Sequence, residues 1–129
     1  MPRVGLVYGV GALRAAARGD RSLWALHRAA LANGLVPVVP AAVVAEGFRT
    51  EARGDRLEEL LAGSEVETLG PEGARRIGEL AAHAGTPDLG AVAVAEAAAR
   101  RNCVVVASRQ NALRVAADLL GHDLVLHAV

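Results

Sequence analysis

A chain of 129 residues with 53% hydrophobic content has the size and apolar fraction of a single domain, residues 1–129, around one core, with no room for a second globular unit. Fourteen basic residues, none of them lysine, balance fourteen acidic ones at a formal net charge of zero. The domain as a whole therefore lacks the positive field of a general nucleic-acid binder, although a local patch stays open. A lone cysteine, Cys103, excludes an intrachain disulfide framework or a cysteine zinc site, and no apolar run approaches the roughly 18 residues of a membrane span.

The first predicted strand, Val4 to Tyr8, follows an opening segment, MPRVGLVYGVGAL, that is too short and too glycine-broken for a secretory signal, so a cytoplasmic protein with no membrane partner is expected. Next comes a helix over Leu23 to Asn33, capped by Ser22, with Leu23, Leu26, Ala30 and Leu31 as its apolar stripe and Gly34 as a left-handed stop. Val36 to Val39 is a second strand and Val66 to Leu69 a third. Pro71 and Gly85 bracket a helix over Glu72 to Ala84. Another follows, with Thr86 as cap, Pro87 at the first helical position, Asp88 in the first turn, Arg100 and Arg101 in the last, and Asn102 beyond. Cys103 to Ala107 and Leu124 to Ala128 complete five strands. The second and fourth are apolar without alternation, as in sheets covered on both faces. Strands separated by about six helices imply an α/β fold, a three-layer α/β/α sandwich around a central five-stranded parallel sheet. With one Trp, one Tyr and one Phe, the core must be built from Ala, Val and Leu.

Three local signals have plain structural readings. YGVGALR, Tyr8 to Arg14, offers Gly-x-Gly after a strand, but a dinucleotide fingerprint wants a small residue at Arg14 and an acid at the second strand's tip, where Pro40 and Ala41 stand. A tight strand-to-helix turn is the better reading. RGDR occurs twice, at Arg18 to Arg21 and Arg53 to Arg56, each where Gly would end one helix and Asp would cap the next. His27, His83, His122 and His127 show no metal-ligand spacing and are expected at surfaces or edges. Nor does any cue assemble a Ser-His-Asp or Cys-His set.

Four stretches carry a resemblance that spans nearly the whole chain: LVYGVGALRAAARGDRSLWALHRAAL, VPVVPAAVVAEGFR, AGTPDLGAVAVAEAAARR and VVVASRQNALRVAADLLGHDLVLHAV. In this order and spacing they resemble the PIN-domain family, particularly the compact toxins of bacterial toxin–antitoxin pairs. The resemblance implies a PIN-like fold and a metal-dependent ribonuclease, in which carboxylates at the carboxyl edge of the sheet hold Mg²⁺ or Mn²⁺ and activate water against RNA. It also implies a homodimer and an antitoxin-like protein partner. The family's four acids fall here on Gly9, Glu46, Ala91 and Arg109, of which only Glu46 is acidic. A second aspartate that often opens the long helix falls on Asp88.

Mg²⁺ needs few protein carboxylates, so Glu46 and Asp88 are the candidate catalytic residues of an active Mg- or Mn-dependent endoribonuclease. Against this, a guanidinium about 6 Å from a divalent ion repels it by about 5 kcal/mol at an effective dielectric of 20. On that ground Arg109 is expected to defeat metal binding, leaving no cofactor and a catalytically impaired homologue acting by protein or RNA binding. Arg109, Ser108 and Asn111, at a helix N-terminus, are then a candidate phosphate site. Both surviving acids also have plain roles: Asp88 favours a helix dipole, and Glu46 lies off the face of Val43, Val44 and Phe48, free to meet solvent or Arg109.

Overall fold

The computed structural model describes residues 4–51 and 54–129. In chain order it contains β1 (Leu6–Tyr8), α1 (Val10–Ala17), α2 (Arg21–Ala32), β2 (Val38–Pro40), α3 (Ala41–Thr50), α4 (Asp55–Ala62), β3 (Glu65–Glu67), α5 (Pro71–Ala84), α6 (Leu89–Arg101), β4 (Val104–Ala107), α7 (Asn111–Leu119) and β5 (Leu126–Ala128). All strand pairs are parallel, in the order β3-β2-β1-β4-β5. The expected three-layer sandwich is present, with shorter strands and with β3 displaced toward the N-terminus of its expected span.

The chain steps outward from β1 to β2 and β3, then returns to the other side of β1 for β4 and β5. Because parallel crossovers are right-handed, the two halves put their helices on opposite faces. Accordingly α1 packs with α4 on one face, and α5, α6 and α7 pack together on the other, while α3 touches both α1 and α6 and so lies across the carboxyl edge of the sheet. Small side chains make this possible. In α6, Ala91, Val92, Ala93, Val94, Ala95, Ala97 and Ala98 are all buried, so this helix is apolar nearly all round and is covered by strands beneath and helices beside it. Val7, Tyr8, Val39, Val105 and Val106 are fully buried in the central strands, as strands sandwiched between helix layers require.

Helix ends correct several expectations. Asp20, not Ser22, caps α2, its Oδ1 accepting the Leu23 N–H at 2.9 Å, and Gly19 turns the chain at φ +75°. The first RGDR is thus the helix-stop and cap expected of it. The second differs: Gly54 is itself the N-cap of α4 and Asp55 opens that helix, and Arg53 lies outside the described residues. Asp88 is the N-cap of α6 rather than a first-turn residue. Thr86 instead accepts the Asp88 N–H at 3.1 Å, so Pro87 precedes the helix. The left-handed Asn102, Gly34 and Gly85 stand where expected. In α2 the inward face is Leu23, Trp24, His27 and Ala30, and Leu31 is exposed. His27 is therefore a core residue, not an edge one.

Candidate functional site

In an open parallel sheet, ligands are held where neighbouring strands send their chains to opposite faces. That point lies here between β1, which leads to α1, and β4, which leads to α7. Instead of parting, the two strand exits press together. The Gly9 N–H donates to the Val106 carbonyl at 2.9 Å, and a Cβ on Gly9 would stand 2.7 Å from the Ala107 Cβ. At the second residue of α1, a Cβ on Gly11 would stand 2.7 Å from the Ser108 backbone nitrogen. These distances are shorter than real Cβ contacts, so glycine is the residue that fits at both positions. What remains is a pit of about 10 Å³ lined by Gly9, Gly90, Ala91, Val94, Ala107 and Leu113, with Val10 and Gln110 at its mouth. Such a space is about the least that admits one water.

Outside the pit runs an open groove of about 560 Å³ that brings together Glu46 and Asp88, with Arg14, Arg49 and Gln110 alongside. Sequence reasoning placed the two acids at one site, and they do share this groove. Each is already engaged. Glu46 accepts from Arg49 at 2.8 Å, a partner one helical turn away and not Arg109. The Arg49 hydrogen bond, reinforced by the charges of Arg49 and Arg14, holds the Glu46 carboxyl below its ordinary range. Asp88 accepts the Ala91 N–H at 3.0 Å, so its Oδ1 serves the start of α6. Ala91 itself is buried and contributes only a methyl group.

Arg109 does not line this groove. It is exposed and lines a separate cleft between α7 and the approach to β5, with Asn111, Arg114, Asp118 and Leu126. The expected electrostatic barrier is therefore not what shapes the pit; close packing is. Asn111 is the first residue of α7 and accepts from Arg114 at 3.2 Å, while Ser108 is packed against Gly11. Of the three candidate phosphate contacts, Arg109 and Asn111 share a cleft and Ser108 belongs to the strand junction.

The donor set does not fit a divalent ion. Hard cations take several oxygen ligands, whereas Gly9 and Ala91 offer no side-chain oxygen, Glu46 is paired with Arg49 and Asp88 gives one of its oxygens to a helix end. Among the described residues, no group of three or more His, Cys, Asp or Glu side chains could hold a metal.

Other polar groups escaped the sequence. The Tyr8 hydroxyl meets His27 Nδ1 at 2.8 Å inside the core, and burial pushes the Tyr8 phenol above its usual range. Burial, helped by the Arg28 charge and opposed by Glu59, lowers the His27 ring. At the β3 edge, Arg101 pairs with Glu65 at 3.0 Å and Glu67 at 2.6 Å, and Arg100 pairs with Glu67 and with Glu96 at 3.0 Å. Although burial raises the Glu67 carboxyl, hydrogen bonds from Arg100 and Arg101 outweigh that and bring it below normal. The Arg49 pair was readable as an i, i+3 spacing on a helix. Contacts between distant segments carry no such local mark.

No family model and no curated protein matches the sequence. Solved structures do match the fold. The chain is similar to VapBC2 from Rickettsia felis, a structure bound to a DNA fragment from their promoter, with a TM-score of 0.64 and 16% identity over 97% of this chain and 98% of that one. It is also similar to PAE2754 from Pyrobaculum aerophilum, with a TM-score of 0.60 and 18% identity over 92% of this chain and 96% of that one. The likeness shows the PIN-like fold, with fewer than one residue in five identical in either case.

Proposed function

We propose that this chain is a PIN-like protein that works by binding rather than by cutting RNA. The observation that supports this reading most is the contact of Gly9 with Ala107, which closes the point in the sheet where a metal and a scissile phosphate would sit. A partner of the antitoxin type is part of the proposal, by analogy with VapBC2, as is a homodimer. The groove of Glu46, Arg49, Arg14 and Asp88 suits such a protein partner, because it offers both signs of charge to a polar segment.

A second reading has one observation in its favour: Glu46 and Asp88 do line one groove. On it the chain is an endoribonuclease that uses these two acids with Mg²⁺ or Mn²⁺. Incubating the folded protein with structured RNA and Mn²⁺ separates the two. The binding reading expects RNA to stay intact, with Glu46→Gln indistinguishable from the parent. Cleavage that is lost in Glu46→Gln would establish the enzyme.

A further inference from the structure

The two RGDR segments, far apart in sequence, meet in space. Arg21 from the first and Arg56 from the second line one groove of about 500 Å³ between the start of α2 and α4, together with Gly19, Trp24, Arg28 and Glu59. Arg56 packs directly over the first copy's turn: a Cβ on Gly19 would lie 2.9 Å from the Arg56 Cζ. Arg28 stands with its Cζ 5.7 Å from the centre of the Trp24 ring, a cation–π contact that fixes its direction. Two of the three guanidiniums thus have defined supports, an indole face and a glycine turn, and Arg21 stands beside them at the start of α2.

What sets these arginines apart is that three of them line one groove. Arg49, Arg76, Arg100 and Arg101 each hold a carboxylate. Among the described residues, none lies within ion-pair distance of Arg21, Arg28 or Arg56, and Glu59 is the one acid lining the groove. A patch of net positive charge is therefore concentrated on a molecule whose formal charge is zero. Gathering three like charges around a single acid is unfavourable, and an anion placed among them relieves it. Guanidinium forks match phosphate oxygens in pairs.

We propose that this groove binds the phosphodiester backbone of a nucleic-acid strand. An open groove suits an extended polyanion better than a small anion. The indole is 8% exposed and already covered by Arg28, so bases have little to stack on and the recognition is of backbone without sequence readout. None of these residues lines the Glu46 and Asp88 groove, so the assignment stands whether or not that groove cuts RNA.

The chain's single tryptophan, Trp24, lies in the groove and reports on it directly. Titrating the protein at low salt with a uridine 12-mer, a thymidine 12-mer and inorganic phosphate, and following Trp24 fluorescence with anisotropy of labelled strands, tests the proposal. Both oligomers are expected to bind saturably, and phosphate alone only weakly. The log–log salt slope for the strands should be about −2, the value for three neutralised phosphates on a single strand. Arg56→Gln and Arg21→Gln should each weaken binding about tenfold and shallow that slope, whereas Arg75→Gln, an equal charge change on α5, should leave it alone. Absence of strand binding at low salt would overturn the assignment. So would equal losses in Arg75→Gln and Arg56→Gln, or phosphate binding as tightly as the strands.

Discussion

At the scale of single residues, the roles of Asp88 and His27 follow from what they touch. Asp88 caps α6 through one oxygen, a task asparagine performs equally well. Asp88→Asn should therefore unfold within a few tenths of a kcal/mol of the parent, and Asp88→Ala should lose about 1 kcal/mol in urea denaturation. A carboxylate needed for its charge would show the reverse, with asparagine as damaging as alanine. His27 is held neutral by burial, so its folded value lies below the ordinary 6.5. Between those two values the unfolded chain binds the extra proton, and stability falls as pH drops through that window, levelling off beneath it. His27→Gln, less stable throughout, should flatten that part of the pH profile above the carboxylate range. A parent slope preserved in the variant would assign the effect elsewhere.

Elements explain why the pit is shut. β1 and β4 are paired in register from Leu6 opposite Val104 to Tyr8 opposite Val106, and the residues that follow stay in contact because Gly9 and Gly11 present no side chain. Gly9→Asp places an acid at the junction but drives its Cβ into Ala107. Overpacking of this kind costs typically 1–3 kcal/mol, so the variant should melt earlier, and Ala107→Gly in the same chain should recover much of the loss. A stable Gly9→Asp single variant would show that the junction opens freely. Much at this scale was legible in advance: Gly34, Gly85 and Asn102 announced left-handed ends through residue type alone, and unbroken Val runs announced covered strands. The caps of α2 and α6 were missed where two hydroxyl or carboxylate residues stood close together. Ser22 and Asp20, or Thr86 and Asp88, each satisfy a cap's chemistry, and only the backbone path chooses between them.

Across the whole molecule, the order of apolar runs and helix signals was enough for a three-layer α/β sandwich, because alternation of strand and helix leaves few topologies, while its PIN-like form was legible only through the resemblance carried by four stretches. The site was legible in composition and not in geometry. That Gly9 and Ala91 carry no acid could be read directly, yet the closing of the strand junction on itself depends on Gly11 meeting Ser108 across nearly a hundred positions of sequence. Arg109 shows the same limit: a charge placed at the right strand end by counting lies along a different cleft in space.

The account turns on whether the carboxyl edge of this sheet grips a divalent cation. Isothermal titration of the folded parent protein with Mn²⁺, alongside Glu46→Gln and Asp88→Asn, measures this directly. The closed junction predicts no saturable heat at micromolar to low millimolar Mn²⁺ and three superimposable traces. Micromolar binding in the parent that disappears in both variants would contradict it.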